Sequence, residues 1–226
     1  MVKAHAATHI GNRETNQDSF CCRTDADVGL YAVADGMGGH AEGTYAAQLV
    51  IDALAAAWDS GVLQTATAAQ ATDTFFSIFK QTNAEILGFS ESKGIICGTT
   101  CSVLFVAGDS FCVAHVGDSR VYSIASRFLF GRVMVKLTPE HLSKKNRLTS
   151  TLGVAKKYSV FTLHGQLSSI NGFVLCSDGL YKPLPDKEIK KIVTKAKSTT
   201  RAAEELITKA VEQGATDNIT AIVVRV

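Results

Sequence analysis

The sequence predicts an α+β fold with substantial antiparallel sheet and several packed helices. Three observations support this prediction: short β-rich runs recur along the chain, longer stretches between them have helical periodicity, and a tight turn joins two β runs. With 226 residues, 46% hydrophobic content and only 3 prolines, the chain is long and apolar enough for a large core. No repeat, proline-rich linker or low-complexity tract divides it, so we expect one domain over residues 1–226.

The β-rich runs lie in the first third, the middle and the end of the chain. They are rich in the β-branched and aromatic residues that strands favour. The turn "AGDS" at 107–110 separates two of them by the length of a hairpin, which makes this part of the sheet antiparallel. The predicted strands are "SFCCRT", "LYAVAD", "TTCSVLFVAG", "SFCVAHVGD", "RVYSIA", "VMVKLT", "FVLCSD" and "ITAIVVRV".

The longer stretches between these runs predict helices. In residues 43–58 the apolar side chains recur on one face at helical spacing, and residues 66–88 show a second such pattern. Residues 186–213 are predicted to hold two more helices, divided near "KSTT", where a Ser or Thr can cap the second.

Charge and composition exclude several function classes. Lys+Arg 23 and Asp+Glu 21 give a net charge of +2, too balanced for a nucleic-acid or membrane surface, so we expect neither partner. The N-terminal residues lack the apolar core of a signal peptide, which predicts a soluble, cytoplasmic protein. The six cysteines form no C-x-x-C pair and lie mostly in apolar runs, which favours buried, reduced thiols over disulfides or a zinc site.

Five aspartates stand at the ends of the predicted strands. A single Asp-Gly pair is an ordinary turn former, but five carboxylates at strand ends repel one another unless cations compensate them. Oxygen ligands favour magnesium, manganese or calcium over zinc, so the pattern predicts a divalent metal cluster. Glycine after aspartate permits close backbone approach, so the carbonyl of Gly36 is a further candidate ligand. The five are Asp18, Asp35, Asp118, Asp178 and Asp217.

Six motifs of the chain resemble a known family. They occur in the order seen in metal-dependent serine/threonine protein phosphatases, the type 2C or PPM family, and cover nearly the whole chain. The resemblance implies a four-layer αββα sandwich, with two antiparallel sheets flanked by helices and a binuclear Mn²⁺ or Mg²⁺ centre at one end. The motifs are "RETNQD", "VADGMGGH", "CGTTCSVLFV", "AHVGDSRVY", "CSDGL" and "DNITAIVV".

The resemblance also implies which residues hold the two ions. Asp35 resembles the carboxylate that bridges both, and Asp178 and Asp217 resemble the other ligands of the first ion. Gly36 resembles the residue that gives its carbonyl to the second ion, and Asp18 the residue that holds waters of that ion. Two such ions lower the pKa of a shared water, and the bridging hydroxide then attacks phosphoserine or phosphothreonine without a Ser or Cys nucleophile.

Other residues match positions of the family, some of which differ between bacterial and eukaryotic members. Asp118 resembles the ligand of a weaker third ion found in bacterial members, and Arg13 matches the phosphate-binding arginine. Many eukaryotic members have a proposed general-acid histidine directly after the first Asp-Gly, where this chain has Met37. The nearest replacement is His40, in the "DGMGGH" form that bacterial members share. Water on a metal ion is the alternative acid.

The family's flap segment is nearly absent, because only "SKKN" separates "VKLTPEHL" from "RLTSTLGV". The resemblance implies a phosphorylated protein substrate, an opposing bacterial Ser/Thr kinase and a monomeric enzyme. Two alternatives remain open at this point: a phosphatase-like module that binds phosphoproteins without turnover, and a hydrolase of small phosphoesters.

Overall fold

The computed structural model describes residues 1–127 and 131–226, apart from the side chains of His40 and Arg127. The strands in this part of the chain are β1 (Lys3–His9), β2 (Asp18–Asp25), β3 (Val28–Met37), β4 (Gly98–Thr99), β5 (Cys101–Ala107), β6 (Ser110–Val116), β7 (Arg120–Arg127), β8 (Gly131–Lys136), β9 (Phe161–Gln166), β10 (Ile170–Cys176) and β11 (Ile219–Arg225). The helices are α1 (His40–Asp59), α2 (Ala68–Lys93), α3 (Asp178–Tyr181), α4 (Asp186–Lys195) and α5 (Thr199–Glu212).

The strands form two antiparallel sheets that are packed face to face. One has the order β1-β11-β10-β7-β8, and the other has the order β2-β3-β5-β6-β9, with the short β4 paired to the end of β3. Helices α1 and α2 cover the outer face of the second sheet, and α4 and α5 lie on the outer side of the first. The result is the four-layer αββα sandwich that the resemblance implied.

Side chains of the central strands alternate between two apolar cores. In β3, Leu30 and Ala32 pack toward α1 and α2, whereas Tyr31 and Val33 pack between the two sheets. Because successive strand residues point to opposite faces and both faces are buried here, the strand is a continuous apolar run. This explains why the central strands could be recognised from composition.

Helix ends follow the capping chemistry of the sequence. Thr67 and Gln70 form a capping box at the start of α2, and Gly94 ends that helix in the left-handed conformation. At α5 the hydroxyl of Ser198 accepts a hydrogen bond from the backbone N–H of Arg201 at 3.1 Å. The predicted division of residues 186–213 into two helices is therefore confirmed.

Strands β1 and β9 were not predicted, and both are edge strands. An edge strand pairs on one side only, so its sequence is more polar than that of a central strand. The sequences "KAHAATH" and "FTLHGQ" contain histidine, alanine and glycine, and both strands are largely half-buried or exposed. Their positions follow from their partners, β11 and β6.

The connection between β8 and β9 has little regular structure. An antiparallel bridge between Leu142 and Leu148 closes a short turn, in which the Ser143 hydroxyl accepts a hydrogen bond from the backbone N–H of Arg147 at 3.1 Å. This turn stands where the sequence analysis expected a nearly absent flap.

The cysteines were predicted from composition to be buried thiols, and the structure agrees with this prediction. The six cysteines carry free thiols, and all but the half-buried Cys22 are buried. In the described part of the chain, no helix has the length and apolar content needed to cross a membrane.

Candidate active site

Seven of the eight predicted site residues meet at one end of the sandwich. A cleft of about 270 Å³ is lined by six of them. Asp18 lies directly beside this cleft, because it pairs across the sheet with Asp35 in the register of β2 and β3. Residues that are far apart in sequence thus share one cleft. The six that line it are Arg13, Asp35, Gly36, Asp118, Asp178 and Asp217.

The backbone around Asp35 is held by the start of β5. The Asp35 N–H donates to the Thr100 hydroxyl at 3.0 Å, and the Asp35 carbonyl accepts from the N–H of Thr100 at 2.9 Å and from the Thr99 hydroxyl at 3.0 Å. The carboxylate of Asp35 is therefore carried on a fixed backbone at the floor of the cleft.

Gly36 allows helix α1 to begin against the end of β3. A Cβ at this position would lie 2.1 Å from the carbonyl oxygen of Gly43, well inside van der Waals contact. The Gly36 N–H also donates to the carbonyl of Gln17 at 3.1 Å, which joins this corner to the segment before β2. The glycine that follows Asp35 at the end of this strand thus has a steric cause.

The carboxylates of the cleft interact with one another, and Asp18, Asp118 and Asp178 are buried. Burial and the charges of the other four aspartates raise the pKa of Asp35 well above its usual range. Burial raises the pKa of Asp18 to about 7, although hydrogen bonds from Thr220 and Ser177 lower it. Burial and the charge of Asp178 raise the pKa of Asp118 to about 6. Such a cluster favours neutralisation by cations.

Two carboxylate oxygens of this cluster are buried without a hydrogen-bond partner among the described residues. They are Oδ1 of Asp18 and Oδ1 of Asp178. The other oxygen of Asp18 accepts hydrogen bonds from the hydroxyls of Ser177 and Thr220, both at 2.7 Å. A buried, unpaired carboxylate oxygen is costly unless a cation or donor reaches it. The donor set, all oxygen and carrying unpaired lone pairs, fits hard divalent cations.

Two cations of the chain reach these carboxylates. The Nη2 of Arg13 lies 2.9 Å from Oδ2 of Asp217, and the ammonium of Lys182 contacts Oδ2 of Asp178. The sequence analysis assigned no role to Lys182. The signal was its position four residues after Asp178, which places the two side chains on one side of a helical turn.

Asn218 organises the loop that carries Arg13. Its side-chain amide donates to the carbonyls of Ile10 at 2.8 Å and Thr15 at 3.0 Å, and its Oδ1 accepts from the N–H of Gln17 at 2.9 Å. Both ends of the Arg13 loop are thus tied to the residue after Asp217. Asn218 is a positioning residue that the sequence analysis quoted within "DNITAIVV" but did not single out.

Asp118 occupies a rigid turn after β6. Gly117 precedes it with φ of +114°, and a Cβ there would lie 2.5 Å from the side chain of Thr100. The Tyr181 hydroxyl donates to the carbonyl of Asp118 at 3.1 Å, and the guanidinium of Arg120 lies 3.5 Å above the Tyr181 ring. The turn is held from both sides, so the Asp118 side chain has a defined position at the cleft.

Comparison with known proteins identifies this arrangement. The model of the protein phosphatase 2C family matches residues 6–218. The chain belongs to the protein phosphatase 2C family. The serine/threonine phosphatase stp of Listeria monocytogenes is 32% identical over 216 residues, which cover 86% of this chain and 83% of that protein. The protein phosphatase PhpP of Streptococcus pneumoniae is 27% identical over 234 residues, which cover 96% and 94%.

Solved structures agree with this placement. The serine/threonine phosphatase of S. agalactiae superposes on this phosphatase with a TM-score of 0.86 at 27% identity, over 100% of both chains. The serine/threonine phosphatase PstP/Ppp of Mycobacterium tuberculosis gives a TM-score of 0.81 at 26% identity, over 100% and 98%. The fold and the family predicted from the motifs are both confirmed.

Some expectations about this phosphatase are refined by the geometry. Met37 lines the cleft at the place where many eukaryotic members have a histidine, and the side chain of His40 lies outside the described residues. Within residues 1–127 and 131–226, no three His, Cys, Asp or Glu side chains are placed so that they could hold one ion as they stand. One oxygen of Asp178 contacts Lys182 and one oxygen of Asp217 contacts Arg13.

Proposed function

We propose that this protein serine/threonine phosphatase of the 2C family uses Mn²⁺ or Mg²⁺ held by the five aspartates of the cleft. Asp178 and Asp217 would hold the first ion, Gly36 and Asp18 would serve the second, and Asp35 would be shared. The observation that carries the proposal is the convergence of these carboxylates, with raised pKa values at Asp18 and Asp35 and unpaired buried oxygens at Asp18 and Asp178.

When bound, a pair of divalent ions supplies a nucleophile from water at neutral pH and neutralises charge on the phosphoryl oxygens. The protein's own residues then position the substrate. Asp118, in its turn beside Asp178, would serve a third and weaker ion, because a cation that has few protein ligands exchanges readily. His40 remains the candidate for protonating the leaving oxygen.

Arg13 is suited to bind the phosphate of the substrate. Its side chain is 57% exposed at the mouth of the cleft, where its guanidinium already contacts one oxygen of Asp217. The guanidinium presents several donors in a planar fork that matches phosphate oxygens. A phosphoryl group entering beside Asp217 would therefore meet a permanent positive charge.

The substrate and ion dependence provide the direct test. The purified protein should hydrolyse a phosphothreonine peptide with Mn²⁺ or Mg²⁺, and excess EDTA should remove this turnover, because the donors of the cleft are oxygen atoms that need a hard cation. Phosphate release is the readout, and restored turnover after adding excess Mn²⁺ controls for denaturation. Full activity in EDTA would contradict the ion centre.

The short turn at 143–147 supports a second candidate, hydrolysis of small phosphoesters, because it stands where a nearly absent flap was expected. Nucleotides and sugar phosphates should be assayed beside phosphoserine and phosphothreonine peptides. At least about tenfold higher kcat/KM on the peptides would support the protein substrate. We also propose that the chain acts as a monomer, which light scattering would test. We further propose that it opposes a Ser/Thr kinase, which the phosphoproteins of a kinase-deficient strain would test.

Replacing Arg13 by Ala should raise KM for a phosphopeptide by about ten- to hundredfold, the equivalent of one charge-assisted hydrogen bond. The effect should fall mainly on KM, because this contact is made to the ground-state dianion as well as to the transition state. Arg13→Lys should recover only part of the affinity, since it restores the charge without the fork. Arg201→Ala, an exposed arginine on α5, is the matched control. A normal KM with collapsed kcat would assign Arg13 to the transition state instead.

A further inference from the structure

Lys182 approaches the cleft from the solvent side. It follows α3 directly, and its backbone N–H donates to the carbonyl of Asp178 at 3.0 Å, which extends the helical turn that begins at Asp178. Its ammonium contacts Oδ2 of the same aspartate. The Lys182 side chain is 60% exposed, whereas the Asp178 side chain is 12% exposed. A largely exposed cation thus contacts a nearly buried carboxylate.

The charge of Lys182 is felt by more than one carboxylate. Burial lowers the pKa of Lys182, but its hydrogen bond to Asp178 and the charges of Asp178, Asp118 and Asp217 outweigh this and raise the pKa. In return, the charge of Lys182 opposes the rise in the pKa of Asp118. The ammonium thus contacts Asp178 and interacts electrostatically with Asp118 and Asp217.

The contact engages only one of the two carboxylate oxygens of Asp178. Oδ2 is engaged by Lys182, while Oδ1 is buried and has no partner among the described residues. A divalent ion bound to Asp178 would either displace the ammonium or lie beside it. In both cases the positive charge of Lys182 opposes the ion, either by competition for the carboxylate or by repulsion between like charges at short range.

We propose that Lys182 competes with divalent cations for Asp178 and thereby weakens ion binding in the cleft. The inference rests on the proposed function, because it takes Asp178 as an ion ligand. The same ammonium partly neutralises the aspartates when divalent ions are scarce. Lys182 would thus make occupancy of the centre depend on ion concentration in a range where an unopposed carboxylate cluster would already be filled.

The test compares Lys182→Gln with Lys182→Arg in the full chain. Glutamine keeps much of the length and polarity of the side chain without its charge, and arginine keeps the charge. Lys191→Gln is the matched control, because Lys191 makes a similar ion pair, with Glu188 at 3.1 Å on α4, outside the cleft. Mn²⁺ binding to each variant is measured by titration calorimetry, and thermal unfolding is followed in EDTA and in saturating Mn²⁺.

Lys182→Gln should bind Mn²⁺ about tenfold more tightly than the wild type, a change typical of removing one nearby charge. It should also melt at a lower temperature in EDTA, because the aspartates lose a compensating cation, and gain more from saturating Mn²⁺. Lys182→Arg and Lys191→Gln should both remain within about threefold of the wild-type affinity.

Mn²⁺ binding by Lys182→Gln that is equal to or weaker than that of the wild type would overturn this inference but not the proposed ion centre. Failure of every protein, wild type included, to bind Mn²⁺ would overturn both the inference and the proposed ion centre. Tighter binding by Lys191→Gln to the same extent as by Lys182→Gln would also overturn it, because the effect would then be one of overall charge.

Discussion

Replacing Asp178 or Asp217 by Asn should lower kcat/KM on a phosphothreonine peptide by about three orders of magnitude, since each tenfold loss corresponds to about 1.4 kcal/mol of transition-state stabilisation. Asparagine keeps the size and the polar character of the side chain but deletes the negative charge. At Asp178 it also removes the anionic partner of Lys182. The expected loss therefore follows from the charge of the site rather than from its shape.

The fold of both variants should persist. The aspartates of the cleft repel one another, so deleting one charge relieves repulsion while it removes an ion pair, with Lys182 at Asp178 and with Arg13 at Asp217. These pairs are partly exposed, and their net effect on the free energy of unfolding should be within about 1 kcal/mol.

Measurements of three properties check this prediction. Circular dichroism and thermal unfolding in EDTA report on the fold, calorimetry with Mn²⁺ reports on ion binding, and phosphate release reports on turnover. Asp73→Asn is the matched control, because Asp73 is an exposed aspartate of helix α2. Near-normal turnover by either cleft variant would mean that the ion ligands have been assigned to the wrong residues.

Gly36→Ala should destabilise the protein by about 3 kcal/mol or more, at the upper end of what overpacking costs. The added Cβ would lie 2.1 Å from the carbonyl oxygen of Gly43 and 2.9 Å from that of Gln17. Both are backbone atoms, so no side chain can rotate away to make room. Either β3 or the first turn of α1 has to move.

The same substitution should reduce turnover beyond its effect on stability, because Asp35 is the neighbour of Gly36 and its position depends on the end of β3. Urea unfolding gives the free energy of unfolding, and kcat/KM is measured on the folded fraction at low temperature.

Gly88→Ala provides a matched control for Gly36→Ala. Gly88 lies within α2, and a Cβ there would meet nothing within 4 Å. Alanine should stabilise this helix by up to about 1 kcal/mol. If Gly36→Ala were as stable as Gly88→Ala, the close approach of β3 and α1 described above would be incorrect.

The sequence predicted the central elements better than the peripheral ones. Strands such as β3 and β5 are buried on both faces, so their apolar runs are visible in composition alone. Edge strands β1 and β9 have no such signal, because only their pairing with β11 and β6 places them in a sheet. The short helix α3 was also missed, since four residues are too few to show a periodic pattern.

For the site, the sequence by itself determined that five aspartates stand at or near strand ends, which is the pattern from which ion binding is proposed. Asp35, Asp118 and Asp178 follow apolar runs, and strand alternation together with the glycine turns requires them to leave the core at the end of a strand. The motifs also determined the family, because their order and spacing can be recognised in the sequence without any knowledge of the fold.

Only the tertiary structure decided which charges meet. Arg13 and Asp217 are in contact although most of the chain separates them in sequence. The three hydrogen bonds by which Asn218 holds the Arg13 loop also join residues that are about as far apart in sequence. Lys182 was visible in sequence as a neighbour of Asp178, but its electrostatic attraction to Asp118 and Asp217 depends on the two sheets bringing those residues together. The physical reason is that electrostatic interaction depends on distance and burial, which sequence spacing determines only within a helix or between paired strands.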